Sequence, residues 1–488
     1  MAVAQGRRAA VAAVIALVTL AGPGHAQTAV PCDMAPTTAL GDAIAIANPG
    51  AILAITGLCQ QQVVVASALD WGITITNHTG LVLAALADGD GIEGQIRIAG
   101  PIQVAISGIT LQGPASDPGY DSVVSVSGGA TVSIANARIA DGWRVGLLAT
   151  ANASATLSNT EVSGNGRANI AGMSDGVRAM DGARIVLGSA AADGTVAAAS
   201  AVTIDSNAGN GISALSNSSV FMAGGTVTGN GASQVALEGA SAAILLGTQI
   251  AQTAPSIWPQ NFAIQIMHAS KLLLAGGASV AAGTFAGGVL AGSASSFAMT
   301  GASVTNSGAA APSVQATGSS NMILAGGNTV TNGVATGPAM QIDHSASMVQ
   351  SLGASLAGQF PGAPAAAVPV ADTIAGFGYV EDQSSMELGV GLIAGANSLV
   401  WTGTMIVTQN SQFRMSGGAA ISGTLKLTQA SNGFFTVVNG GTNTVSSQIS
   451  CPWSVVPTSH IAGPTFVSPP PVLATSLASA GKTQCLPF

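Results

Sequence analysis

The sequence predicts an all-β solenoid: stacked coils of three short strands, about 23 residues to the coil, closed at the start by a short helix. Three observations predict it. Apolar anchor residues recur at a nearly constant spacing over most of the 488 residues. The apolar runs between them are short and bounded by Gly, Asn, Ser and Ala, which is the punctuation of strands and turns. Finally, only 7% of residues are charged and 64 are Gly, while 48% are apolar. A chain of that kind has enough to bury and lacks the high charge of a disordered one.

Residues 1–26 read as a secretory signal. Arg7 and Arg8 supply the positive charge, "AAVAAVIALVTLAG" the apolar run, and "GHA" a cut after Ala26. The run from Ala9 to Gly22 is shorter than the ~20 residues that span a bilayer, so no transmembrane segment is expected once the signal is removed. The route of export is left open. Losing Arg7 and Arg8 takes the formal net charge from −8 to −10. The only lysines are Lys271, Lys426 and Lys482. That balance argues against nucleic acid as a partner, and against an anionic membrane surface. The expected location is secreted, periplasmic or cell surface.

Residues 27–60 form the expected N-terminal cap. Thr37 or Thr38 is placed to cap a helix carrying Leu40, Ala43, Ile44 and Ala47, which Asn48-Pro49-Gly50 ends. Such a helix would cover the bottom edge of the first coil. Cysteines stand as two pairs, Cys32 with Cys59 and Cys451 with Cys485. Four cysteines allow three pairings; in an exported chain the most local one, Cys32–Cys59 and Cys451–Cys485, is favoured. Metal binding is the rival reading, and spacings of 27 and 34 without a histidine cluster argue against it. Residues 451–488 would be a disulfide-linked C-terminal cap.

The repeat occupies residues 61–450. Ile139 and Val162 are 23 apart, as are Ile204 and Val227, and Val227 and Ile250. Val280, Val304, Val330 and Leu356 follow at 30, 24, 26 and 26. The gap of 42 between Val162 and Ile204 is taken as two coils, one shortened. In "GTVTGNGASQVALEGASAAILLGTQI" (225–250) the three strands are "TVT", "VAL" and "AILL". Asn165, Asn207 and Asn230 each lie three residues after an anchor, where they are expected to turn a coil corner in left-handed backbone and to bond along the stack. Three strands per coil at this period resembles the right-handed parallel β-helix, the fold of pectate lyases, phage tailspikes and many autotransporter passengers. The resemblance covers about residues 50–450. It implies a fold, and leaves function open.

The third strand has a readable phase. In "SMELG" and "QFRMSG" the charges Glu387 and Arg414 occupy the middle slot, so that slot faces water and its flanks, such as Met386, Leu388, Phe413 and Met415, face the core. Carried upstream, the outward slots become Val186, Phe221, Ile244, Leu273, Ala298, Ile323 and Val349. An exposed apolar stripe through Phe221, Ile244, Leu273, Ile323 and Val349 is therefore expected, covered by a loop such as 251–262, buried in a homo-oligomer, or used for surface contact.

Polysaccharide lyases and hydrolases on such coils need converging charge. The sequence has no "NTD…DD…GHG…RIK" pattern, no acidic cluster of calcium-site type, no Gly-x-Ser-x-Gly elbow and no phosphate loop. His78, His268 and His344 are isolated in sequence. No cofactor and no metal site are expected. One concentration stands out: Arg138, Arg144, Arg167, Arg178 and Arg184 lie within 47 residues, with Asp141, Glu161, Asp175 and Asp181 among them. Trp143, Arg144, Arg167, Arg178 and Arg184 are the candidate ligand site, for the carboxylates of an acidic sugar, with Arg144 above or below Arg167. A salt-bridge patch is the competing reading. The favoured function is non-catalytic contact with a matrix, cell-surface glycan or polysaccharide; an enzyme acting on an acidic glycan is the alternative.

Overall fold

The computed structural model describes residues 27–66, 80–169, 174–191, 195–253, 262–284, 286–308, 310–334, 337–351, 370–390, 398–415, 419–427, 432–435, 443–445, 448–450, 460–462, 475–477 and 482–484. The fold is a parallel β-solenoid of about 12 turns, consistent with a right-handed parallel β-helix. Packing gathers the chain into two units, Met1–Val186 and Leu187–Phe488.

In the first unit, strand Gln27–Pro31 pairs in parallel with Ile52–Thr56. The helix between them, Ala39–Ile46, buries Leu40 and Ile44. Thr38 is its N-cap, but it makes no side-chain cap hydrogen bond. Docking of the apolar face, rather than a capped end, therefore holds the helix. The Cys32–Cys59 disulfide lies in this region, both cysteines fully buried. The Cys451–Cys485 pair lies outside the described residues.

The lower coils run their first two strands together: Leu58–Ala66 pairs along its whole length with Gly91–Ala99. Gly94 sits where that strand bends, at φ 144°. A Cβ there would come within 2.2 Å of the Gln61 carbonyl oxygen, so no other residue fits the bend. Above it the strand divides. Thr110–Gln112 pairs with Gly91–Glu93 and Ser122–Ser127 with the far half of Gly91–Ala99, which leaves 113–121 as a loop inserted at the corner. Leu111, Ile139 and Val162 then stack in register, each at most 1% exposed.

Within the second unit an anchor column runs through Ile204, Val227, Ile250, Val280, Val304 and Val330, as the spacing predicts. Two expectations are corrected. Val330 pairs with Ile374, because a long insertion separates the coils there, while the expected anchor Leu356 lies outside the described residues. Among the described residues between Val162 and Ile204 there are two further strands, Val177–Ala179 and Arg184–Leu187, and Glu161–Ser163 pairs directly with Thr203–Asp205. Val162 and Ile204 are thus one coil apart, not two.

The expectation for the asparagines is corrected in the backbone only. Asn165, Asn207 and Asn230 are buried, but positive φ falls on the residue before each: Gly164, Ser206 and Gly229. The side chain points inward and bonds along the stack, as expected. Asn165 Oδ1 accepts from Gly142 N at 2.9 Å, and Asn230 Oδ1 accepts from Asn207 N at 3.1 Å. L-residues do take left-handed backbone at the corner before the third strand, in consecutive pairs such as Ser216–Asn217, His268–Ala269 and His344–Ser345. Just inside that corner runs a serine ladder. Ser241 Oγ accepts from Ser218 N, and Ser270 Oγ from Ser241 N, each at 3.2 Å. The third-strand phase holds: Met386, Leu388, Phe413 and Met415 are buried, and Glu387 pairs with Arg414 across an outward register step at 3.6 Å.

Candidate functional site

The corner insertion 113–121 builds a hollow on the first unit. It is lined by Gly94, Gly113, Pro114, Pro118, Tyr120, Ser122, Val123, Gly142 and Trp143, and spans about 200 Å³ including its open mouth. Its walls come from three successive levels. The bend at Gly94 lies below, the loop lies beside it, and the turn carrying Trp143 and Arg144 lies above. Trp143 Nε1 donates to Pro114 O at 2.8 Å, tying the turn to the loop. Arg144 Nη1 donates to Gly119 O at 2.8 Å, and to Tyr120 O and Asp121 Oδ1 at 3.4 Å. In this region two buried atoms, Ser122 Oγ and Arg144 Nε, have no partner among the described residues.

The five arginines do not converge. Arg138 pairs with Glu161 at 3.2 Å, both half-exposed. Arg144 holds the loop. Arg167 donates its backbone N–H to Gly142 O and sets its guanidinium 5.7 Å from the centre of the Trp143 ring, not over Arg144. The turn after Asn165 advances its register, so equal offsets from the anchor do not stack. Arg178 is buried and donates through Nε at 2.8 Å and Nη2 at 2.5 Å to Asp175 Oδ2. Arg184 stands exposed on the third-strand sheet, away from the corner. Most of this concentration is thus structural pairing. Glu161 shows the effect: hydrogen bonds from Ser163 and then Arg138 hold its carboxyl below the usual range against partial burial.

On the second unit, Phe221, Ile244, Leu273, Ala298, Ile323, Val349, Glu387 and Arg414 stack in unbroken register. The column is not bare throughout. Leu273 and Ala298 are fully buried, which corrects the expectation of an exposed Leu273. Phe221, Ile244, Ile323 and Val349 are half-buried. Ala190 and Val196, from the insertion 188–202, pack on the same cluster. This covering segment was not legible, because its run of alanines carries no pattern pointing at the stripe. The cover suggested for 251–262 lies largely outside the described residues.

The histidines are not all isolated. His344 Nδ1 lies 2.9 Å from Asp343 Oδ1, and its Nε2 3.6 Å from Asp382 Oδ2 on the next coil. The hydrogen bond to Asp343, and then its charge, raises the His344 pKa. Asp343 is buried, and its Oδ2 accepts from Gln315 and Gln341 at 2.9 Å each; Gln341 also reaches Glu381 Oε1 at 3.1 Å. His268 lies 3.1 Å from Glu238. Asp343 directly precedes His344 in the chain; Asp382 and Glu238 each sit a full coil from their histidine, which hid those two contacts. His78 lies outside the described residues, as do Trp71, Trp258 and Trp453. Trp401 is core, fully buried, with Nε1 donating to Gly376 O. Among the described residues no group of three or more His, Cys, Asp or Glu side chains is placed to hold a metal, and no helix is long and apolar enough to cross a membrane.

These features define a parallel β-solenoid protein. No protein-family model and no curated protein matches the chain.

Proposed function

We propose that this chain is an exported, non-catalytic scaffold that makes contact outside the cytoplasm with a matrix, glycan or cell surface through the outer faces of its coils. The observation that carries the reading is the outward column of the second unit, whose open end presents Ile323 and Val349 and then the Glu387–Arg414 pair at successive steps of about 4.8 Å. A rigid repeated face of mixed apolar and charged groups suits extended contact better than capture of a small ligand. The Cys32–Cys59 disulfide supports export, because such bonds persist in oxidising compartments. The test is retention of purified protein on immobilised matrix protein and polysaccharide. Ile323→Asp with Val349→Asp should abolish retention; full retention by the double variant would overturn the reading. Light scattering on wild type and on Phe221→Ser with Ile323→Ser tests a homo-oligomer through the same column.

One arrangement favours the alternative, a polysaccharide hydrolase or lyase. Gln341 Nε2 bridges the Asp343 and Glu381 carboxylates, with His344 alongside. Paired carboxylates are what glycoside hydrolysis requires. Against it, Asp343 is 2% exposed and already accepts three hydrogen bonds, so it is placed as a structural acceptor. Release of reducing ends or of unsaturated uronate by wild type, but not by Asp343→Asn, would establish the enzyme.

A further inference from the structure

We propose that the insertion 188–202 is a built-in cover over the lower end of the outward column, and that what it keeps off is a second copy of the chain. The inference rests on the reading of that column as a contact face and names how part of the face is kept closed.

The coil does not require the insertion. At three corners above it the third strand passes to the first strand of the next coil within two or three residues: Ala223 to Thr226, Leu246 to Gln249 and Ala275 to Ser279. Between Leu187 and Thr203 the chain takes fifteen residues, "GSAAADGTVAAASAV". Val202 enters the core as the next coil begins, which leaves Val196 as the one other large apolar side chain of the stretch. A segment so poor in apolar groups buries too little to hold itself, and is held by what it lies on.

Its two arms make a small hairpin. Ala190 and Val196 form an antiparallel bridge; Ala191 N donates to Thr195 O at 2.8 Å and Ala197 N to Ser189 O at 3.0 Å. Hydroxyls close the base. Ser189 N and Ser189 Oγ each donate to Ser200 Oγ at 2.8 Å, and Ser200 Oγ donates to Ala197 O at 2.8 Å. Ala191, Thr195 and residues 197–199 are exposed, whereas Ala190 and Val196 are half-buried and pack into the cluster of Phe221, Ile244, Leu246 and Leu273. Val196 has a fitted seat. A Cβ on Gly224 would lie 2.5 Å from Val196 Cγ1, and one on Gly247 3.1 Å from Val196 Cγ2. Two glycines on successive coils thus leave a notch that one valine fills.

The row beneath explains the need for a cover. Phe221, Ile244 and Leu273 are register partners at steps of about 4.8 Å. Uncovered, they and Leu246 would make a continuous apolar patch of a kind that marks an interaction site. Every copy of the chain carries the same row, so the row is its own complement. Two rows packed face to face about a two-fold axis along the strand of Ile244 run antiparallel and oppose Phe221 with Leu273. The flanking positions Ser219, Ala242 and Lys271 share that register, so Lys271 would meet Ser219 rather than its own counterpart. Apolar groups then face apolar groups, and no like charges meet.

The test is light scattering over a concentration series, with binding of a fluorescent apolar dye as the second readout. Both are run in a parent chain carrying Ile323→Asp with Val349→Asp, which takes the open end of the column out of play. The parent should be monomeric. Val196→Asp sets a carboxylate in the notch and should expel the hairpin. Dye fluorescence should rise, and the apparent mass should climb with concentration toward twice that of the monomer. Adding Phe221→Ser with Ile244→Ser should return both readouts to those of the parent. Far-ultraviolet circular dichroism checks that the strands are intact; if Val196→Asp disturbs them, the milder Val196→Ser decides. The proposal fails if the Val196 variant stays monomeric with the parent's dye signal, if its association survives Phe221→Ser with Ile244→Ser, or if the parent already associates through those residues. Matrix retention of wild type against the parent reports on the contact reading alone. Retention lost in the parent, with a Val196 variant that stays monomeric, would end the cover and leave the contact reading standing. Association of the Val196 variant, with no retention of wild type, would end the contact reading and leave the cover.

Discussion

Replacing Asn230 by alanine should loosen the second unit locally and by a predictable amount. Asn230 is fully buried; its Oδ1 accepts from Asn207 N and Asn207 Nδ2, and its Nδ2 donates to Gln234 Oε1 at 2.7 Å and Thr228 O at 3.2 Å. Truncation deprives Asn207 of the oxygen both its nitrogens reach, and takes the Asn230 donor from Gln234 Oε1. Each buried polar group stripped of a partner costs about 1–3 kcal/mol, so a loss of about 3 kcal/mol is expected after partial relaxation. Solenoids do not always unfold in one step, so the assay should be local. Amide exchange at residues 204–207 and 227–230 should speed up about a hundredfold. Asn230→Asp should be worse than alanine, because it turns a donor aimed at three oxygens (those of Ile204, Thr228 and Gln234) into an acceptor. A change below about 1 kcal/mol, or an aspartate no worse than alanine, would refute the inward ladder.

Breaking Cys32–Cys59 with serine at both positions should destabilise the first unit by about 3.5 kcal/mol on loop-entropy grounds for a separation of 27, read from exchange near residues 30–60. Arg178→Ala should cost about 3–5 kcal/mol, since it removes both charged hydrogen bonds from Asp175, which is 1% exposed; Arg178→Met with Asp175→Leu should recover most of that. Glu161 has its pKa lowered by Ser163 and Arg138, so its contribution is present above its ordinary 4.5 and lost as pH falls through the folded value. Solvent screens it, and the acid-side slope of the urea midpoint should shrink only modestly in Glu161→Gln. His344 has its pKa raised, so its contribution is complete below 6.5 and disappears as pH rises through the folded value; His344→Asn should flatten the midpoint over that window.

The coil was legible because the chain repeats its burial pattern at each step. Val227 follows Ile204 at 23 residues, and the same two residues are register partners in the sheet. The third-strand phase was legible from two residues alone, since a charge at Glu387 and at Arg414 is tolerable only on the outward slot. Corners were legible in position but not in conformation. Asn207 looked like the left-handed residue; Ser206 takes that backbone and frees the asparagine to point inward. The site was least legible. Trp143 and Arg167 meet, yet Arg144 is turned away to hold a loop whose path no local pattern fixes. Coverage of Leu273 was hidden for a related reason: an outward slot is buried or bare according to insertions elsewhere in the chain.

The most direct measurement follows bound protein and released product in the same well, over immobilised neutral and acidic polysaccharides. Non-catalytic surface contact predicts saturable retention of wild type, with no reducing ends and no unsaturated uronate absorbance over hours. Product that accumulates in proportion to protein, and disappears in Asp343→Asn, would contradict it.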